Sequence, residues 1–267
     1  MIDVPETPTD RSNDMDQDAA RVTTAGPRST GGLAVVTGAA SGIGAATMRL
    51  FRARGWDVLG IDRQAGEGIV SGDITDADSL AAAAATLDER QVDALVLAAG
   101  IWDQADDRYS VVSLETWERT WSVNVTGTML SLRAFAPLMG PGGSVVTIAS
   151  MAAISGMPRR DAYTASKGAV EALSRAWAVD LIRDGIRVNC LAPGVVATPM
   201  VERVGDRDAE RLPLGRAATP EEVAGVAVAL AGPELGYLNG TTIPVDGGLT
   251  ATSGLVPVGP RRARAPR

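Results

Sequence analysis

The chain has 267 residues, 45% of them apolar but only 4% aromatic, with a formal charge of −7, a single cysteine and no histidine. That length suits one α/β domain whose core needs neither disulfide nor metal. The acidic balance argues against a nucleic-acid partner, and the missing histidine removes the commonest general base and a major metal ligand, so no metal site is expected.

Residues 1–31 are rich in Asp, Thr, Pro and Ser and show no apolar period. They read as a disordered leader, and their acidic, polar character does not resemble a signal peptide. Strands are predicted at Leu33–Thr37, Val58–Ile61, Ile69–Ser71, Val92–Ala98, Gly143–Ala149, Ile186–Leu191 and Thr241–Val245. Helical patterns fall between them over Gly42–Arg54, Ala77–Arg90, Leu114–Leu138, Ala162–Arg183 and Glu221–Ala231, with a loop and small helix over Thr198–Arg211. This alternation predicts one α/β domain over 32–250, a parallel sheet with helices on both faces. Residues 251–267, with four arginines after Gly259, read as a flexible basic tail. No stretch is apolar enough to span a bilayer, so no membrane partner is expected. Cys190 lies in an apolar run and reads as a buried, inert thiol, which fits a reducing, cytoplasmic setting.

The first strand runs into Thr37-Gly38-Ala39-Ala40-Ser41-Gly42-Ile43-Gly44. Glycines between a strand and a helix let the backbone approach a pyrophosphate seated on the helix N-terminus; a purely structural turn is the plainer alternative. The second strand ends at Asp62, where a carboxylate can accept from the adenosine ribose hydroxyls and repel a 2′-phosphate. With Ser41 rather than a basic residue before Gly42, NAD is favoured over NADP. Arg63 is the complication, since an arginine there can pair with a 2′-phosphate or simply be solvated. Asp73, before Ile74, can meet the adenine amino group or cap the next helix, and Asp76 competes for the cap.

Tyr163 and Lys167 stand four residues apart, on one face of a helix. A phenol with a pKa of about 10 is a poor base near neutrality, and a neighbouring ammonium favours its anion. Lowering it by about three units requires roughly 4 kcal/mol. Alone, such a pair is usually an ordinary helix-face contact. Ser150, at the carboxyl end of the fifth strand, stands where ligands of open α/β sheets bind, although a strand-end serine also satisfies local backbone. Asn124, inside the long helical pattern, either holds a water in a proton relay or caps a kink.

Together these residues resemble the short-chain dehydrogenase/reductase family in its single-domain form, over about Leu33 to Leu249. The resemblance rests on Thr37–Gly44, on Asp73-Ile74, on Ala99-Gly100 after the fourth strand and on Asn124, Ser150, Tyr163 and Lys167 as a catalytic tetrad. It rests also on Pro193-Gly194-Val195-Val196-Ala197-Thr198, the segment that holds the nicotinamide amide, and on Asp246-Gly247-Gly248. It implies a Rossmann-type, doubly wound parallel sheet of about seven strands. It also implies a hydride exchanged between a nicotinamide and a substrate carbon, with Tyr163 exchanging the proton, Lys167 lowering its pKa and binding the nicotinamide ribose, Ser150 polarising the reacting oxygen, and Asn124 placing a relay water. A homotetramer or homodimer, paired through the two long helices and the last strand, is a further implication. The family often carries Asn-Asn before Ala-Gly; Leu97-Ala98 stand here, which is expected to loosen that sheet edge.

The expected pocket wall, Trp102, Met151, Ala152, Ala153, Ile154, Val195, Met200 and Val201, is apolar, although several of these can pack the core instead. It favours a nonionic, hydrophobic or alicyclic secondary alcohol or ketone of secondary metabolism as the small-molecule substrate, under a short lid from Thr198 to Leu212. Arg159, Arg160 and Arg203 could bind an acidic group, but solvent is the expected place for them. Two alternatives stand beside the NAD-dependent dehydrogenase: an NADPH-dependent ketoreductase, including one acting on carrier-bound 3-oxoacyl chains, and a noncatalytic dinucleotide-binding protein.

Overall fold

The structure, a computed structural model, describes residues 31–201 and 212–252. The leader, the tail, Arg203 and most of the lid therefore lie outside the described residues.

Seven strands form one sheet: β1 Leu33–Thr37, β2 Asp57–Asp62, β3 Ile69–Ser71, β4 Val92–Leu97, β5 Met139–Ile148, β6 Arg187–Pro193 and β7 Thr242–Val245. Their order is β3-β2-β1-β4-β5-β6-β7, every pairing parallel. Side chains alternate between the two faces of a strand, and here both faces are buried, so the strands read as continuous apolar runs. Ala34, Val36, Val96 and Val146 pack under helices α1 (Gly42–Ala53) and α6 (Pro220–Ala231) with Phe51, Val223 and Leu230. Val35, Leu95, Leu97 and Val145 point the other way, onto Leu80, Leu132, Phe135 and Ala178. Those belong to α2 (Ala77–Ala85), α4 (Thr128–Phe135) and α5 (Asp161–Asp180). The chain order reverses between β1 and β4, which opens a crevice beyond their carboxyl ends.

Three expectations change. The helix predicted over Ala77–Arg90 stops at Ala85, and Asp88 and Glu89 then take left-handed φ values of 48° and 61°. The helix over Leu114–Leu138 is α3 (Leu114–Trp121), a π-helical turn Ser122–Gly127, α4 and a 3₁₀ turn. Leu97 does not loosen a sheet edge: β4 is interior, paired on both sides, and Leu97 belongs to the core. None of the described helices is long and apolar enough to cross a membrane.

Candidate active site

The glycine-rich loop is built by close approach. A Cβ on Gly38 (φ 70°) would lie 2.8 Å from the Ala99 Cα, and one on Gly44 only 2.1 Å from the Gly38 carbonyl oxygen. The loop thus presses against the end of β4 and feeds directly into α1. Ser41 makes no side-chain cap bond, and the first turn of α1 holds no acidic residue. The start of this helix therefore has neither a side-chain cap nor an acid of its own, a condition that a pyrophosphate site requires. Ser41 is exposed, whereas Ile43 packs partly into the core. A methyl on Gly42 would lie 3.2 Å from the Thr198 methyl carbon, which brings the 193–198 segment beside the loop. In that segment Pro193 and Val196 are buried, and Gly194 donates to the Val245 carbonyl at 3.1 Å.

Asp62 faces the loop. Its two oxygens accept the Ala40 N–H and the Gln64 N–H, both at 3.1 Å, while Arg63 is exposed. Asp73 is occupied locally. One oxygen accepts the Thr75 N–H at 2.9 Å and the Thr75 hydroxyl at 2.8 Å, and these bonds, with the Arg63 charge, hold its carboxyl below the usual range. Asp76 is the helix cap, accepting the Asp78 N–H. Ile74 is buried against Gly127 in the π-helical turn.

Asn124 sits on that turn, fully buried. Its amide accepts the Ile101 N–H at 2.8 Å and donates to the Ile101 carbonyl at 2.9 Å and to the Ser166 hydroxyl at 3.0 Å. Its side chain therefore ties the kinked helix to the segment after β4. Ala99 donates its N–H to the Thr37 hydroxyl at 3.2 Å. A Cβ on Gly100 would lie 3.1 Å from the Asn124 Oδ1 and 3.2 Å from the Lys167 Nζ, so these three groups meet at one point.

Lys167 is buried, donates to the Ile148 carbonyl at 2.9 Å, and holds its Nζ 5.8 Å from the centre of the Tyr163 ring. Burial pulls its pKa down to about 8, an effect offset slightly by Cys190. Burial pushes the Tyr163 phenol above its ordinary value; the Ser150 hydroxyl and the Arg160 charge pull it back. The protein alone thus does not lower this phenol. Desolvation outweighs them because the ring is packed into the protein. Ser150, at the end of β5, is buried and also accepts the Ala152 N–H at 3.1 Å, so it serves local backbone as well as Tyr163.

The expected wall divides. Met151, Ala153, Val195, Met200 and Val201 are half-buried, Ile154 is exposed and Ala152 is buried. Arg159 lies in solvent as expected, whereas Arg160 does not. Arg159 is bidentate to Asp107 at 3.1 and 3.0 Å, and Arg160 is half-buried with its guanidinium 3.8 Å above the Trp102 ring.

Asp106 was not legible as a site residue. Its carboxylate accepts the N–H groups of Ala162 (3.1 Å) and Tyr163 (2.8 Å), capping α5 from 56 residues away. An acidic loop, Asp103–Asp107, reads in sequence as a solvated turn, and nothing local points to α5.

A doubly wound sheet, a glycine loop at its switch point and a Ser–Tyr–Lys set beyond the strand ends define a dinucleotide-dependent oxidoreductase architecture. A family model described as enoyl-(acyl carrier protein) reductase matches residues 38–250. The chain is 38% identical over 251 residues to galactitol 2-dehydrogenase (L-tagatose-forming) of Cereibacter sphaeroides, covering 84% of this chain and 96% of that one. It is 34% identical to a 3-oxoacyl-(acyl-carrier-protein) reductase of Thermotoga maritima, covering 83% and 99%. It spans only 43% of an uncharacterized short-chain type dehydrogenase/reductase of Sinorhizobium fredii, at 36% identity over 82% of this chain. Ligand-free aldohexose dehydrogenase of Thermoplasma acidophilum superposes with a TM-score of 0.79 at 27% identity, covering 85% and 97%. The chain belongs to the short-chain dehydrogenase/reductase family, whose members use a nicotinamide cofactor.

Proposed function

We propose that this protein is an NAD(H)-dependent dehydrogenase that interconverts a hydrophobic or alicyclic secondary alcohol and its ketone. The observation that carries the reading is that Ser150, Tyr163 and Lys167 converge beyond β5 while Asp62 closes the glycine loop. The residues fit a nicotinamide dinucleotide: α1 offers an uncapped N-terminus, Asp62 offers a carboxylate for ribose hydroxyls, and Lys167 has ammonium protons beyond the one given to Ile148. When bound, the nicotinamide supplies the hydride acceptor or donor.

The chain's own residues handle the proton. Ser150 orients the substrate oxygen and donates to it. Tyr163 takes the hydroxyl proton in oxidation and returns it in reduction, a contribution of about 10²–10⁴ in rate. Lys167 stabilises the phenolate and holds the nicotinamide ribose, and Asn124, by fixing Ile101 and Ser166, holds the place of a relay water. A homotetramer or homodimer and a cytoplasmic location belong to the same proposal; the exposed apolar side chains of Leu114, Val179 and Ile182 support self-association. A second reading, an NADPH-dependent 3-oxoacyl-type ketoreductase, draws on Arg63 next to Asp62 and on the Thermotoga relative.

The test is steady-state oxidation of a panel of cyclic secondary alcohols with NAD and with NADP, followed by nicotinamide absorbance. Turnover with NAD supports the dehydrogenase. Turnover with NADP alone, matched by reduction of the corresponding ketones with NADPH alone, replaces it by the second reading, and no turnover with either removes both.

A further inference from the structure

Half-buried arginines are costly to leave unpaired, because a partly desolvated charge keeps little of its hydration. Arg54, Arg63, Arg108, Arg133 and Arg183 lack ion pairs but are exposed, and half-buried Arg187 donates to three backbone carbonyls. Arg160 alone among the described arginines is half-buried with neither a hydrogen bond nor an ion pair among the described residues. The three carboxylates of the loop after Trp102 are all engaged elsewhere. Asp103 pairs with Arg119, Asp107 with Arg159, and Asp106 spends both oxygens on the amides of Ala162 and Tyr163. Stacking on Trp102 fixes the guanidinium by its face and leaves its N–H edge free. The Trp102 indole N–H is itself buried without an acceptor, so the same corner is short of negative charge twice over.

The position is as telling as the deficit. Arg160 precedes Tyr163 by three residues, and its charge reaches the phenol. Trp102 follows Gly100, which meets Lys167 and Asn124. A cation at the start of a helix opposes the helix dipole, so α5 gains nothing from it locally. From Arg160 stacked on Trp102 beside Tyr163, we infer that the substrate carries an anionic group, a carboxylate or another oxyanion, which Arg160 binds while the carbinol meets Tyr163. This rests on the dehydrogenase reading and narrows its secondary alcohol to an alicyclic or hydrophobic hydroxy acid, in place of the nonionic alcohol that the apolar wall suggests.

Two measurements test it. The first is binding of cyclohexanecarboxylate and of cyclohexanecarboxamide by calorimetry, on protein saturated with its dinucleotide, or on free protein if it takes none. At least tenfold tighter binding of the acid is expected, with the preference lost in Arg160→Gln and largely kept in Arg160→Lys. Equal binding of acid and amide, or an acid preference unchanged in Arg160→Gln, overturns the inference whatever the enzyme turns over. The second is the ratio of kcat/KM for 2-, 3- and 4-hydroxycyclohexanecarboxylate to that for their methyl esters. It is expected above ten for at least one isomer, and to fall more than tenfold in Arg160→Gln. Turnover of esters and simple alcohols with no acid preference overturns the role of Arg160 and leaves the dehydrogenase standing. Acid-selective binding with no turnover overturns the dehydrogenase and leaves Arg160 as an anion site.

Discussion

The carboxylate of Asp106 accepts the backbone N–H of Tyr163 at 2.8 Å, and its other oxygen accepts that of Ala162 at 3.1 Å. Residue Arg160, at the N-cap of α5, makes no side-chain cap bond, so Asp106 caps the helix from outside. It acts as a positioning residue for the phenol. Asp106→Ala is expected to cost about 1–2 kcal/mol of stability, as lost caps do. It should also lower kcat tenfold or more while NADH affinity stays within about threefold. Asp106→Asn, which keeps one acceptor oxygen, should recover part of kcat. Wild-type kcat in Asp106→Ala would remove this role.

Asp62 is expected to set cofactor choice. Its carboxylate is held by the Ala40 and Gln64 amides, and in the proposed site a 2′-phosphate would meet it as a like charge. Removing a clash of about 1–3 kcal/mol in Asp62→Ser should shift the NAD-to-NADP ratio of kcat/KM toward NADP by about ten- to a hundredfold. An unchanged ratio would mean that Asp62 only braces the loop.

Lys167 links the site to stability. Its pKa falls from 10.5 to about 8 on burial, at about 1.4 kcal/mol per unit, an upper bound of about 3.5 kcal/mol. Below pH 8 the folded chain carries a buried ammonium. Between pH 8 and 10.5 the unfolded chain still binds the proton that the folded one has released, so this group makes wild-type stability rise with pH. Lys167→Met abolishes that slope. Relative to wild type, the variant should lose ground from pH 7 to pH 10 in denaturant unfolding, and should turn over no substrate at either pH. A pH-independent difference would contradict the burial argument.

Two glycines separate loop from scaffold. In Gly44→Ala the new methyl meets the Gly38 carbonyl oxygen, a backbone atom, and both stability and dinucleotide binding should fall, stability by about 2 kcal/mol or more. Gly225, on α6, has nothing within 4 Å of its Cβ position, and Gly225→Ala should stabilise by about 0.5–1 kcal/mol through helix propensity. Thermal unfolding with and without NADH distinguishes the two.

β1 was readable because both of its faces are buried and apolar, and the half-buried edge strand β3 also falls at the residues the pattern marks. The Tyr163–Lys167 spacing and the glycine loop were readable because local geometry dictates them. The stop of α2 was not, since Leu87, Glu89 and Arg90 continue the helical pattern past the alanine run that ends at Ala85, and only the backbone at Asp88 and Glu89 turns it. The π-helical turn adds one residue to a turn without altering the apolar pattern, which hid how Asn124 reaches Ile101. Asp106 was hidden, and an acid-binding Arg160 was set behind a solvated one, for a different reason. A charge in a loop reads as solvated, and only the fold brings Asp106 under α5 and Trp102 under Arg160.

Titration of the purified protein with NADH and with NADPH, read by nicotinamide fluorescence, tests the central claim most directly. Saturable binding of NADH, at least tenfold tighter than NADPH, is the expected result, and it should persist in Tyr163→Phe while turnover is lost. Tighter NADPH binding would contradict the assignment of Asp62 and put the ketoreductase first. Binding of neither would contradict the dinucleotide site itself.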